Sequence, residues 1–320
     1  MREGKLSNEE LKKCLSELKS TRSEVLLGSN VGEDCAVIGC DSLLLVTTDP
    51  ITSECLSVGE LAVHINANDI YASGGEPFAC TLTVIAPPNA TVEQIAEVIN
   101  EANVTAKSLD IDIVGGHTEF SSAVTRIIVS VTMLGKTTKA ISNAKIQVGD
   151  SVIVTKDLGL EGSLILWQNN KNKLNLTPKQ TEQLKSLNSK ISVKAESLAC
   201  QKLNISCMHD ITEGGIAGAL AEVCARSQVG ATIFEDKLPL MQATKDICKT
   251  LGIDAFGLMS SGSLLITTNE PQKALDSLSK SGVKGTVIGT ICLGQPILVK
   301  ADKTELILKI KADELYRRKL

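Results

Sequence analysis

Short β-rich runs alternate with helix-patterned stretches along almost the whole of this chain, and that alternation restricts the fold more than any other feature. Residues 7–19 read as an amphipathic helix: Ser7 and Glu10 form a capping-box pair, and Leu11, Leu15 and Leu18 recur at helical spacing. A β-rich run at 43–47 leads to a helical stretch at 58–72 and then to a strand at 78–85 that Pro87 and Pro88 close. Thr91 with Gln94 marks a helix start, and Ile95, Val98, Ile99 and Val104 carry its apolar positions toward Leu109. Strands are expected at 111–114, ending in Gly115-Gly116, and at 124–134. After a turn at Gln147-Val148-Gly149-Asp150 the pattern restarts. Strands are expected at 151–155, 231–234, 263–267, 285–289 and 297–299, with helices at 177–187, 213–225 and 271–280. A chain of 320 residues is long for one hydrophobic core, so the expected architecture is α/β (α+β) in two domains, 1–148 and 149–320.

The core must be built from Leu, Ile, Val and Ala, because the chain has only one Trp, two Tyr and four Phe. The same scarcity removes the stacking platforms on which single-stranded nucleic-acid binding relies. A net charge of −4 with no long basic run also argues against a phosphate-backbone binder, so nucleic acid is not an expected partner. Residues 1–13 hold no apolar stretch of the secretory type, and the longest nearly apolar run, 127–134, is too short to span a bilayer. The expected location is cytoplasmic, away from membrane. The ten cysteines include no CxxC pair and stand with three histidines, so they read as small buried hydrophobes rather than a zinc site.

Four polar clusters in the first half sit where a strand or helix meets a turn. Asp34 ends the glycine-bearing loop from Gly28 through Gly32, Asp49 terminates a strand, Asn68 and Asp69 interrupt an apolar helix face, and Glu119 follows Gly115-Gly116-His117-Thr118. Asp69 is the most informative, because the stripe containing Leu61 and Ile65 turns it toward the core. A buried, unpaired carboxylate is costly, and two carboxylates about 4 Å apart repel by roughly 4 kcal/mol at an effective dielectric near 20. If these acids converge, a divalent cation keeps them ionised, and oxygen ligands without a thiolate or histidine cluster favour Mg²⁺. Taken singly, each has an ordinary alternative. An Asp at a strand end is usually a turn former or helix cap, and Gly-Gly pairs usually mark tight turns. Gly135-Lys136-Thr137 follows a strand but is not a P-loop, since the motif needs a glycine where Ser130 stands. The GxGxxG fingerprint is absent too.

Taken in order, the clusters resemble one superfamily. Gly32-Glu33-Asp34-Cys35-Ala36-Val37-Ile38, Thr47-Thr48-Asp49, Asn66-Ala67-Asn68-Asp69-Ile70-Tyr71-Ala72-Ser73-Gly74-Gly75-Glu76-Pro77 and Gly115-Gly116-His117-Thr118-Glu119 are similar to its nucleotide half. His209-Asp210-Ile211-Thr212-Glu213-Gly214-Gly215 and Ser260-Ser261-Gly262-Ser263-Leu264-Leu265 are similar to its second half. This is the PurM/HypE/ThiL superfamily, which contains aminoimidazole ribonucleotide (AIR) synthetase, the hydrogenase-maturation protein HypE, thiamine-monophosphate kinase and selenophosphate synthetase. The resemblance is nearest to HypE-like, AIR-synthase-related proteins.

The resemblance implies a PurM-like fold whose N-terminal domain pairs its strands with a second subunit in a dimeric β-barrel, followed by a C-terminal α/β domain. It implies ATP and Mg²⁺ as cofactors. Asp34, Asp49, Asp69 and Glu119 would hold metal, and Asp69, His209 and Asp210 would act in catalysis. Gly28, Gly32, Asn68, Gly115, Gly116, His117, Thr118, Gly214 and Gly215 would contact the nucleotide. The implied activity is ATP-driven phosphorylation of an amide or carbonyl oxygen of a small substrate. Two alternatives stay open: a non-catalytic nucleotide-binding partner in hydrogenase or metallocofactor maturation, and a small-molecule kinase. A homodimer and a maturation-protein partner are the expected assemblies. The chain departs from HypE in three places. It ends without the C-terminal cysteine, His117 replaces an acid that Glu119 stands in for, and Ser261 replaces a glutamate.

Overall fold

The structure is a computed structural model and describes residues 25–27, 35–39, 42–52, 57–307 and 312–317. The helix expected at 7–19 lies outside the described residues. The chain divides into two compact units, one running up to Ala140 and the other from Ile141 onward. It is a mixed α/β protein with one sheet in each unit.

The first sheet contains β1 (Val25–Leu27), β2 (Ala36–Gly39), β3 (Leu43–Ile51), β4 (Glu76–Ala86), β5 (Asp112–Phe120) and β6 (Ile128–Thr137), in the order β1-β2-β3-β6-β4-β5. All neighbours are antiparallel except β4 and β5. Helix α1 (Val58–Ala72) packs on β3 and β6, and α2 (Val92–Ser108) packs on α1. Enclosed between sheet and helix, α1 buries residues on nearly every side, including Leu61, Val63, Ile65, Ile70 and Tyr71. Gly59 permits the close approach of α2, since a Cβ there would lie 2.1 Å from the Val98 carbonyl oxygen.

Helix α2 begins as its sequence requires, with a reciprocal capping box between Thr91 and Gln94. Thr91→Ala is expected to cost about 1 kcal/mol, read as a lowered midpoint in thermal unfolding. Its buried stripe is Ile95, Val98, Ala102 and Ala106, whereas Ile99 and Val104 are exposed. Strand β5 runs through Gly115-Gly116 instead of ending there, paired to β4 as far as Phe120.

The second sheet holds β7 (Ser151–Thr155), β8 (Cys207–Ile211), β9 (Gly230–Phe234), β10 (Ser263–Thr268), β11 (Gly285–Cys292), β12 (Ile297–Val299) and β13 (Thr304–Leu306). Their order is β13-β12-β9-β11-β7-β10-β8. Helices α3 (Leu160–Asn169), α4 (Pro178–Lys185), α5 (Lys194–Cys200), α6 (Gly215–Ser227), α7 (Gln242–Leu251), α8 (Pro271–Lys280) and the short α9 (Glu314–Arg317) complete the unit. Two apolar clusters form there. Ile216, Leu220 and Val223 of α6 meet Val152, Val154, Ile211 and Leu265 of the sheet. Leu160, Leu164, Leu184, Ile247, Leu258 and Leu315 join α3, α4, α7 and the C-terminal segment. No helix among the described residues is long and apolar enough to cross a membrane.

Candidate active site

Each unit carries one polar constellation. In the first, Thr47 and Asp49 share a face of β3, because alternate residues of a strand point the same way. Helix α1 brings Asn66 and Asp69 to that face, since residues three apart on a helix are neighbours. The Thr47 hydroxyl donates to Asp69 Oδ2 at 2.6 Å. The Asn66 carboxamide clasps the Asp49 peptide from both sides. The Asp49 N–H donates to Asn66 Oδ1 at 2.7 Å, and Asn66 Nδ2 donates to the Asp49 carbonyl at 3.1 Å and to the Ala62 carbonyl at 2.9 Å. Asn66 and Asn68 are fully buried, Asp69 is 6% exposed, and Asp49 is half-buried at the margin.

Two acid-bearing segments are thereby fixed side by side, with hard oxygen donors and no thiolate among them. That donor chemistry fits Mg²⁺. Among the described residues no three Asp, Glu, His or Cys side chains gather closely enough to hold a metal by themselves. A Mg²⁺ ion here would complete its shell with water and phosphate oxygens, as this ion ordinarily does. Gly28, Gly32 and Asp34 lie outside the described residues. The clasp by Asn66 has no role in the sequence reading, although its three-residue step from Asp69 is the pattern that carries it.

Glu119 stands apart from β3. In the order β3-β6-β4-β5 it lies three strand spacings away, about 14 Å. Its carboxylate is 3.3 Å from His117 Nε2, and both residues are exposed. Gly115 and Thr118 are exposed along the same edge strand. Gly116 has a structural reason to be glycine, because a Cβ there would sit 1.9 Å from the Leu82 carbonyl oxygen of β4.

In the second unit, β8 carries His209 and Asp210 near its end at Ile211 and passes through Thr212 and Glu213 into α6. His209 Nε2 is 3.3 Å from Glu222 of α6, and Asp210, on the opposite face of the strand, is 4% exposed. Gly214 and Gly215 both adopt left-handed backbone, with φ of 82° and 57°. The Gly215 N–H donates to the Thr212 carbonyl at 3.1 Å, and the Gly214 N–H donates to Asp313 Oδ2 at 2.6 Å. The neighbouring loop before β10 is tied in, because Ser260 N–H donates to Thr212 O at 3.3 Å and Gly159 N–H to Ser260 Oγ at 2.7 Å.

Three charged residues without a role in the sequence reading surround these loops. Lys156 Nζ donates to the carbonyls of Lys190, Ser192 and Gly262 at 2.9, 2.7 and 2.8 Å and lies 2.7 Å from Glu196 Oε1. Burial pulls the Lys156 ammonium below the usual lysine range, against the raising pull of Glu196. Glu161, at the start of α3, is buried against Ser261, and its carboxyl is pushed up to about 7, chiefly by burial and then by Asp313, with the Ser261 hydroxyl opposing. Asp313 is raised to about 6 by burial.

Residues 32–137 match the N-terminal domain of AIR synthase related protein, and residues 147–299 match the C-terminal domain. A putative hydrogenase expression/formation protein of Methanocaldococcus jannaschii is 30% identical over 249 residues, spanning 76% of this chain and 72% of that one. The chain belongs to the AIR synthase-related family. Two solved structures share the fold of this AIR synthase-related chain. HypE of E. coli, a hydrogenase maturation protein, superimposes with a TM-score of 0.77 at 21% identity, covering 97% of this chain and 99% of the other. HypE in complex with ATP superimposes at 0.71 with 20% identity, covering 97% and 96%. The β3–α1 constellation lies within the first matched segment, and the loop before α6 within the second. Asp313 lies beyond both.

Proposed function

We propose that this AIR synthase-related protein binds ATP with Mg²⁺ and uses it to phosphorylate an amide or carbonyl oxygen of a small substrate, turning that oxygen into a leaving group. The γ-phosphorus bonds to the substrate oxygen as its bond to the β,γ-bridging oxygen breaks and ADP leaves; inorganic phosphate then departs with the substrate oxygen as a nucleophile bonds to the carbon, or as a primary amide nitrogen gives up its two protons and a nitrile forms. The reading is supported above all by the joined pairs Thr47–Asp69 and Asp49–Asn66, which fix the Asp69 carboxylate and the Asp49 backbone side by side between strand and helix. It is supported further by a structural relative described in complex with ATP.

Such transfer needs positioning and charge neutralisation more than covalent chemistry from the protein. When bound, Mg²⁺ supplies that neutralisation at the phosphates. In this reading Asp49 and Asp69 hold the metal with Asp34, and Glu119 acts from the edge strand. Gly28 and Gly32 cover phosphates with backbone N–H groups, and Asn68 and the 115–118 segment contact the nucleotide. His209, oriented by Glu222, and Asp210 handle protons, while Gly214 and Gly215 open α6 toward an anion.

The assembly that fits this reading is a homodimer. Strand β5 is an edge strand exposed on both faces, and Phe78, Val114 and Phe120 present apolar surface on β4 and β5. A second copy closing the sheet into a barrel would cover them. The name of the M. jannaschii relative favours a second reading, a nucleotide-binding partner of hydrogenase maturation. Calorimetric titration of ATP with Mg²⁺ and with a chelator tests the proposal. Binding at least about 10-fold tighter with metal is expected. Metal-independent binding, or none, removes the metal-nucleotide reading. Binding without turnover across amide and carbonyl substrates leaves the partner role standing in its place.

A further inference from the structure

The start of α6 is covered by the chain's own C-terminal segment. Asp313, 1% exposed, receives the Gly214 N–H on Oδ2 at 2.6 Å and the Leu315 N–H on Oδ1 at 2.8 Å, and the Met259 N–H bonds to it as well. The segment is seated by packing in addition. Leu315 is buried in the α3–α4–α7 cluster, Tyr316 lies against that cluster, and Glu314 accepts the Asp254 N–H at 3.4 Å. On the other side of the Met259 peptide, its carbonyl takes the Gly162 N–H at 3.0 Å, which brings Glu161 to the same place. Glu161 is 5% exposed, and its Oε2 is buried without a hydrogen-bond partner. A buried carboxyl with an unsatisfied oxygen is costly when ionised and far less so when protonated.

We propose that residues 312–317 form a pH-responsive strap, closed over the start of α6 while the Glu161–Asp313 pair holds a proton and released when both carboxyls ionise. Among the described residues the charged groups acting on the pair are acidic. Glu161 comes from α3, Glu213 from the loop before α6, and Asp313 from the strap, where Glu314 is turned to the Asp254 N–H. The loop before β10 contributes only the neutral Met259 and Ser261. Among the described residues no basic side chain acts on either carboxyl, Lys156 being engaged by Glu196 and three carbonyls, so a second negative charge gains little there.

The sign follows from the direction of both shifts. Burial, the largest effect on each, raises Glu161 to about 7 and Asp313 to about 6, while the Ser261 hydroxyl and three backbone N–H groups pull the other way. A freed strap returns both groups to roughly 4, so the closed form binds more protons than the open one near neutrality. Closure is therefore strongest in acid and is lost as the pH rises through 6 and 7. When the strap opens, the Gly214 N–H at the positive end of α6 becomes free for an external anion. The proposal does not depend on what that anion is.

Hydrogen–deuterium exchange of the full chain, corrected for intrinsic rates, tests it at about pH 5.5 and about pH 8.5. Peptides covering 212–217 and 312–317 are expected to lose about 10-fold in protection at the higher pH, while β10 peptides hold. Glu161→Gln, which cannot ionise, is expected to keep the strap protected at both values. Ser261→Ala, which removes the hydroxyl favouring the ionised form, leaves the closed, ionised state less stable, so a larger loss of strap protection at the higher pH is expected, and it serves if the Gln variant does not fold. Protection of the strap that is the same at both pH values in the unaltered protein overturns the proposal. So does a pH dependence that survives Glu161→Gln unchanged. Neither outcome involves ATP, so the result is independent of the nucleotide reading.

Discussion

Asp69→Asn is expected to weaken Mg²⁺-dependent ATP binding by about 100-fold while the chain stays folded. The substitution keeps the shape of the side chain and leaves an oxygen to accept the Thr47 hydroxyl that sits 2.6 Å away. What it removes is the negative charge, and at 6% exposure that charge is held where a nearby cation is poorly screened by water. A structural role and a metal-holding role therefore separate in one experiment. If Asp69 serves only to bridge β3 and α1, the amide does nearly as well, and relief from burying a charge leaves the thermal midpoint level or higher. If it helps hold a metal, calorimetry shows the affinity collapsing with the midpoint unmoved. Asp49→Asn is the useful companion, because Asp49 is half-buried and its backbone stays clasped by Asn66 whatever its side chain does. A folded Asp69→Asn protein that binds ATP and Mg²⁺ like the unaltered one would remove Asp69 from the metal site.

Elements with a start signal or a long run of one pattern were legible from sequence. The helix at Val58–Ala72 and the strands at Ser151–Thr155 and Ile297–Val299 occupy the expected residues, and Thr91-Gln94 caps α2 as its spacing requires. The missed helices α3 and α7 lack such a signal and are also short, at 10 residues each against 15 for the equally uncapped α1. Helix α3 starts from Gly159 in left-handed backbone, and α7 starts from Met241, neither with a side-chain cap. Gly115-Gly116 reads as a turn, yet β5 continues through it, because a glycine is also what lets β4 approach closely at Leu82. The acids at strand ends stood out because each broke an apolar pattern. Glu161 and Asp313 did not, since one opens a helix and the other follows a run in which lysines alternate with apolar residues, and only the tertiary fold brings them to the same residue, Met259. Lys156 was invisible for the same reason: its partners Lys190, Ser192, Glu196 and Gly262 share no local spacing with it.

Lys156→Met is expected to destabilise the second unit by about 3–5 kcal/mol, because it strands a buried carboxylate. Glu196 is wholly inaccessible and Lys156 is 18% exposed. Three backbone carbonyls lose their ammonium donor at the same time, each a further cost of about 1 kcal/mol or more if no water replaces it. Trp167, the only tryptophan in the chain, lies in α3 of this unit and reports its unfolding in urea by fluorescence. The double variant Lys156→Met/Glu196→Gln separates the two costs. Neutralising Glu196 removes the stranded charge but leaves the three carbonyls without their donor. A double variant more stable than the single one therefore measures the charge, and the deficit that remains measures the carbonyls. If Lys156→Met stays within about 1 kcal/mol of the unaltered protein, the ammonium is not what holds these loops together. A large loss that the double variant partly restores instead makes Lys156 the tie between the Gly262 loop and the segment at 190–192. Access to α6 would then rest on a loop framework held by one buried cation, with the strap acting on a scaffold already fixed.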